Sequence, residues 1–392
     1  MNGEEQTTMK NSLRSIVLLL VLLSFLTVPV LATDTNLAVP YYQQETDYYC
    51  GSAVAQMWID FHNSFVSQNT LYTYIQNHNI ESGWSTDPQG LEDVVGNYVT
   101  NLITDDHKWS SADAAIMGQA VDIVNRGIPS ASLIHEGYHW NAVKGVSYTL
   151  YGGQIYQING VWVQDPWYTM SANIYYAVNS WKNEFTQVDF PSSTWDNYWV
   201  TVQGYWGSRG GAPDYDKEIE NIRLMDESEV STPITAEIDI AGFAREQMNK
   251  QNLFQEELKG SSPGNTVLVH SLNKNYPDYY LIPFEKDGVP VVVSKVDLKG
   301  DTAVFSAGAA LEKGASSIKP DLDEARKALE YAGYGDLENA RLVWKPCEQT
   351  MSEFMPVWEF SNNANEIKYV GYNPFEQKVM VYDNLTPSKM RG

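Results

Sequence analysis

The chain has 392 residues, long for one domain and comfortable for two. Its 49 acidic against 26 basic residues give a formal charge of −23, which argues against nucleic acid or an anionic membrane as partner. Its only cysteines, Cys50 and Cys347, rule out a disulfide framework and leave a single Cys50–Cys347 bridge as the most that pairing can supply.

Lys10 and Arg14 precede the apolar run "IVLLLVLLSFLTVPVLA", which ends in Val30-Leu31-Ala32. A positive flank, a short apolar core and small closing residues predict a cleavable secretory signal over 1–32. The run is marginal against the ~20 apolar residues a bilayer span needs, so a retained anchor is the alternative. The expected location is secreted or cell-surface, with no membrane contact after cleavage.

Composition changes near "GYWGSRGGAPDYDKE". Of twelve tryptophans, only Trp344 and Trp358 lie beyond residue 210. Thr33 to Gly210 carries 17 acidic and 5 basic residues, and Gly211 to Gly392 carries 30 and 19. The expectation is an aromatic domain over 33–210, a linker over 211–230 rich in turn residues, and a charged second part. In the first, "CGSAVAQMWIDFHNSF" has apolar residues at helical intervals. "SADAAIMGQAVDIVNRG" predicts a second helix, capped by Ser111 and stopped by Gly127. Then come "IPSASLI", "HWNAVKGVSYTLYGG" and "QIYQINGVWVQD", β-rich runs separated by turns. Helices followed by an antiparallel sheet make the class α+β.

The second part repeats itself. "GFAREQMNKQNLFQEELKG" predicts a helix ahead of one set of strands, and "DLDEARKALEYAGYG" a helix ahead of another. Leu268-Val269-His270 registers with Leu342-Val343-Trp344, and Tyr280 and Phe284-Glu285 with Phe354 and Trp358-Glu359. Two helix-on-antiparallel-sheet units are expected, over 231–315 and 316–392.

The stretch "IHEGYHW" spells His-Glu-x-x-His, a zinc-protease pattern when it lies on a helix. Here Gly137 interrupts it and strand-like runs flank it, so His135 and His139 are not expected to share a metal. Cys50 offers other chemistry. It opens an apolar-periodic helix, where free N–H groups and the helix dipole favour a thiolate. His139 starts a strand from which it can reach the thiol as base and acid. Asp165, closing the next β-run, fits the acceptor that fixes the imidazole tautomer. The Cys50 N–H and the Gln44 amide fit oxyanion donors, with Gln43 as a competitor for the latter.

The blocks "VPYYQQETDYYCGSA", "GYHWNAVKGV" and "VWVQDPW" resemble those of the bacteriocin-processing (double-glycine leader) peptidases, and more closely their stand-alone papain-like relatives. The resemblance covers roughly Leu37 to Trp206. It implies a papain-like cysteine peptidase domain with Gln44 as oxyanion donor, Cys50 as nucleophile, His139 as base and acid, and Asp165 as orienting residue. Ser52 stands where relatives usually have proline, and the transporter modules of the processing members are absent, which puts leader specificity in doubt. The second part resembles cystatin-like or PepSY-type modules that bind substrate or regulate access. The implied protein is a secreted cysteine peptidase with a peptide or protein substrate and no cofactor or metal. The same constellation also serves amidases and acyl transferases. The alternative from another class is an inactive extracellular binding or adhesion protein on a papain-like scaffold.

Overall fold

The computed structural model describes residues 32–168, 170–207, 212–315, 320–364, 366–387 and 392. The expected signal segment lies outside the described residues except for Ala32. That residue begins β1 (Ala32–Asn36). Among the described residues, no helix is long and apolar enough to cross a membrane.

Helices come first, as the periodicity predicts. α1 (Cys50–Phe61), α2 (Gln68–His78) and α3 (Pro88–Tyr98) pack together, and α4 (Ala112–Val121) follows β2 (Leu102–Trp109). Local chemistry sets their ends. Asp87 accepts the Gly90 N–H at 2.7 Å with Pro88 at the first helical position, and Ser111 accepts the Ala114 N–H at 3.1 Å. Gly127 closes the segment after α4 at φ +68°, a left-handed cap.

The sheet is built around β4 (His139–Tyr151). It pairs antiparallel with β1, with β3 (Ser130–Ile134) and with β5 (Gln154–Gln164). β1 can lie this close because position 145 is glycine: a Cβ there would meet the Thr35 carbonyl at 2.6 Å. β6 (Ile174–Ala177) extends the sheet beyond β5, and β7 (Trp199–Trp206) pairs with β2 and β3. One apolar core fills the space between α1–α3 and the sheet, around Trp58, Leu91, Trp140 and Trp195.

Of the segment 211–230, read as a linker, residues 212–230 are packed onto the first part. α5 (Val178–Glu184) precedes it in the chain, and within it α6 (Tyr215–Ile219) seats Tyr215, whose hydroxyl donates to buried Asp122 at 2.8 Å. β8 (Arg223–Leu224) then runs parallel to β5. Long-range contacts of this kind leave no trace in local composition.

Each later unit has a helix followed by antiparallel strands. The first has α7 (Ile240–Lys250) and the short α8 (Gln255–Leu258), after the short strand β9 (Ser231–Pro233). The sequence predicts one continuous helix here. It breaks because Asn252 and Phe254 adopt φ +58° and +51°, which swings the Phe254 ring onto Trp162, 5.4 Å between centroids. Its strands are β10 (Ser262–Pro263), β11 (Val267–Ser271), β12 (Asp278–Lys286), β13 (Val289–Lys299) and β14 (Thr302–Ala310). The second unit has α9 (Leu322–Tyr331) with an Asp321/Glu324 capping box, then β15 (Asn339–Trp344), β16 (Val357–Ser361), β17 (Ile367–Asn373) and β18 (Lys378–Tyr382).

The two segments that register in sequence also touch in space. β11 and β15 pair in parallel, Val269 with Leu342 and His270 with Val343. Phe354 departs from the repeat. Where Tyr280 lies on β12, Phe354 lies in the turn before β16 and packs on Tyr168, 5.4 Å between centroids. β14 joins the parts by pairing with β6, Ala307 with Tyr176 and Ala309 with Ile174. A second core runs through this junction, from Trp162 and Tyr175 to Phe305 and Trp344.

Charge is buried there too. The Lys295 ammonium on β13 lies 3.3 Å from Asp297, 3.6 Å from Glu184 and 3.8 Å from Glu353, and all four residues are buried. Burial opposes the ammonium, but the three carboxylates outweigh it and push its pKa up. Lys295→Met would strand three carboxylates without a cation. The expected cost is about 3–5 kcal/mol in urea unfolding at neutral pH, and a loss well under 1 kcal/mol would show that the cluster does not hold the junction.

Candidate active site

Register explains why two residues far apart in sequence meet. Ala142 on β4 faces Gln164 on β5. One step further along the hairpin, Asp165 comes opposite Asn141, with His139 as its diagonal neighbour on the same face. His139 Nε2 donates to Asp165 Oδ1 at 2.8 Å. The same oxygen accepts the Trp167 N–H at 2.8 Å, so the carboxylate is held from two sides.

The Cys50 thiol lies near enough to the His139 imidazole to favour its charged form. Because Nε2 is committed to Asp165, Nδ1 is the nitrogen left for the thiol. Cys50 is the first residue of α1, and Tyr49 supplies no side-chain cap, so the unshared N–H groups of the first turn stay free. A thiolate placed there gains from the helix dipole and from the adjacent imidazolium. Burial works against charge on His139, yet Asp165 and Cys50 together push its pKa up to about 10.

Gln44 reaches the site through the backbone. Its N–H donates to the Pro166 carbonyl at 3.1 Å, beside Asp165. Its Nε2 donates to the Thr46 carbonyl at 2.7 Å, which occupies one of the two amide protons and leaves the second. Gln43 points elsewhere, its Nε2 donating to the Pro374 carbonyl at 3.2 Å. The structure thus joins Cys50, His139 and Asp165 directly and holds Gln44 against the same loop.

The His-Glu-x-x-His stretch is a hairpin loop. Ile134 pairs with His139, so residues 135–138 make the turn from β3 to β4. His135, Glu136 and Gly137 all have positive φ, at 53°, 62° and 98°. Non-glycine residues in that region store strain of about 1–3 kcal/mol each. Here the turn is braced: Thr186 Oγ1 accepts the Glu136 N–H at 2.7 Å, and the Glu136 carbonyl accepts the Asp189 N–H at 3.1 Å. His135 lies alongside His139, 6.4 Å between ring centroids, but its nitrogens face Tyr276 Oη at 3.3 Å and the Met351 carbonyl at 3.1 Å. Burial and the charge on His139 push its pKa down to about 3, so it is neutral beside a cationic neighbour. The two rings do not converge on a common point as zinc ligands would.

All four expected residues are sealed from solvent: Cys50 is 4% exposed, Asp165 2%, and His139 and Gln44 1% each. Groups from the second part pack on residues next to them in the chain or in space. Besides Met351 and Tyr276 on His135, Phe375 stands edge-on to Trp167 at 4.9 Å and Phe354 covers Tyr168. The two cysteines are free and buried, so no bridge joins Cys50 to Cys347.

Sequence reading missed Thr86, whose side chain lies against Gly51, and the indole of Trp140, which donates to the Thr86 carbonyl at 3.0 Å. The part Thr86 plays is through its backbone oxygen, which every residue type supplies.

Residues 36–198 match the Peptidase_C39 like family. No curated protein matches the chain. Among solved structures, the chain is similar to a double glycine motif protease from an AMS/PCAT transporter, determined in complex with the leader peptide. The identity is 11% with a TM-score of 0.29, over 43% of this chain and 92% of that one. The family match supports a peptidase, of the cysteine type that the family implies.

The raised His139 pKa sets a pH dependence. Below the ordinary histidine value near 6.5 both folded and unfolded chains hold the proton, and between there and about 10 only the folded chain does. Stability from this site is therefore full below the unfolded value and lost as pH rises through about 10. Urea midpoints should fall across that window, and the fall should be shallower in His139→Gln. Parallel curves for the two proteins would rule out the charged imidazole.

Proposed function

We propose that this chain is a secreted cysteine peptidase that hydrolyses peptide bonds through Cys50, His139, Asp165 and Gln44, with its later units controlling access. The observation that supports it most is the unbroken run of contacts from Asp165 through His139 to a thiol at a helix N-terminus.

In this reading His139 already carries its second proton, and Cys50 attacks the substrate carbonyl as the thiolate of that ion pair. The tetrahedral oxyanion accepts from the Cys50 N–H and from the second Gln44 amide proton, after the Gln44 side chain adjusts from its present bond to Thr46. His139 donates its proton to the departing amine. Water, deprotonated by His139, then attacks the thioester, and the departing thiolate restores the ion pair. Asp165 keeps Nδ1 aimed at sulfur throughout by holding Nε2.

Regulation by the later units is supported by burial. A site at most 4% exposed must open before a peptide reaches it, and the covering groups Tyr276, Met351, Phe354 and Phe375 all come from the second part. A peptide library read by mass spectrometry tests the chemistry. Cys50→Ser should abolish cleavage, and Gln44→Ala should cut kcat by about 10²–10³. Cleavage that survives Cys50→Ser would end the assignment of Cys50 as nucleophile, and no cleavage by the unaltered chain would favour a binding scaffold.

A further inference from the structure

Loops ordinarily run over the surface, yet the loop between β15 and β16 is buried at every residue from Thr350 to Met355. It binds up its own polar groups. Cys347 and Thr350 exchange backbone bonds of 2.9 and 3.1 Å that close its base, and the Glu348 N–H fastens that base to the Thr386 carbonyl at 2.9 Å. The Met355 N–H donates to the Ser352 carbonyl at 3.0 Å, and the Thr350 hydroxyl lies 2.9 Å from the Met355 carbonyl. A loop closed on itself in this way leaves few backbone groups stranded if it moves as one piece.

Three ties hold it against the first part. The Met351 carbonyl accepts from His135, which lies alongside His139. Phe354 packs on Tyr168, whose N–H donates to the Asp165 carbonyl at 3.1 Å. The third tie is Glu353, seated 3.8 Å from Lys295 in the cluster with Glu184 and Asp297. One ammonium balances one carboxylate there, and burial pushes the pKa of both Glu184 and Glu353 up. The other titratable groups facing Glu353 are Asp165 and the hydroxyls of Tyr168, Tyr176, Tyr276 and Tyr279, none of which adds positive charge.

We infer that residues 350–355 form a plug over the His139–Asp165 side of the thiol site, locked by the Glu353 carboxyl in the Lys295 cluster and released when that carboxyl ionises into solvent. The plug adds a regulator to the peptidase reading and rests on that reading for its purpose. Seated, Glu353 keeps its proton above the ordinary carboxylate value near 4.5, and withdrawn into water it gives the proton up there. Closure therefore binds a proton and weakens as pH rises above that value, until the seated carboxyl itself ionises. His135 runs the other way. It is neutral in the seat and regains its ordinary value near 6.5 once freed, so acid below that point also loosens the plug. Above about 6.5 the imidazole no longer opposes the carboxyl. The restraint is reversible and needs no cut in the chain.

The test follows iodoacetamide labelling of Cys50 and Cys347 from about pH 6.5 to 9 in the full chain, unaltered and as Glu353→Gln, whose amide has the shape of the neutral acid and no proton to lose. Dividing the Cys50 rate of the unaltered chain by that of the variant at each pH cancels the ionisation of the thiol itself. The ratio should climb with pH, by up to about tenfold per unit for one proton released. Cys347, packed in the second unit's own core with Val343, Val357 and Leu385, should stay slow in both. Phe354→Ala, which vacates the seat on Tyr168, should speed Cys50 labelling at every pH and leave Cys347 slow. A flat ratio overturns the lock. Cys347 labelling in step with Cys50 overturns the plug, because whole units would then be parting or unfolding. A climbing ratio with no peptide cleaved at any pH would keep the plug and remove the peptidase reading instead.

Discussion

The register of β4 against its neighbours is the constraint from which the site follows. β5 brings Asp165 diagonally opposite His139, β3 places the strained loop 135–138 at its start, and β1 carries the chain along it toward Gln44 and Cys50. A slip of one residue between β4 and β5 would put His139 and Asp165 on opposite faces of the sheet. Both faces of β4 are buried over most of its length, so packing forbids such a slip. The geometry of the candidate site is thus specified by the same apolar contacts that specify the fold.

Burial makes that geometry electrostatically tense. An imidazolium sealed from water is sustained by Asp165 and Cys50, while its neighbour His135, equally buried and with Glu184 no nearer than 3.6 Å, is driven neutral by burial and by the charge on His139. The Lys295 cluster at the junction follows the same logic with opposite stoichiometry, one cation among three carboxylates. In both places partner geometry decides which groups carry charge.

Much of this was legible in the sequence because it was written in residue types. Cys50 at the head of an amphipathic segment, His139 opening a β-rich run and Asp165 closing the next gave the polar constellation. Gly137 and the flanking β-branched residues argued correctly against a zinc helix. Ser111 and Gly127 marked the ends of one helix through their capping chemistry. What stayed hidden depends on backbone groups or distant packing. The Thr86 and Met351 carbonyls belong to no residue type, the break at Phe254 is set by Trp162 almost a hundred residues away, and Tyr215 ties down a stretch whose composition reads as linker. Phe354 leaves its repeat position for the same reason, since its partner Tyr168 belongs to the other part of the molecule.

The pairing of β6 with β14 has a further consequence. Ile174 to Ala177 are all buried, and β14 completes the hydrogen-bonding edge that β5 leaves open. Stripped of β14, that edge would be a short, flat and strongly apolar template of the kind that recruits other chains. Zymogens commonly mature by clipping a connecting segment so that an inhibitory piece diffuses away. In this molecule a nick between residues 207 and 212 would leave a shared sheet and a shared core intact, and the two fragments would remain one particle.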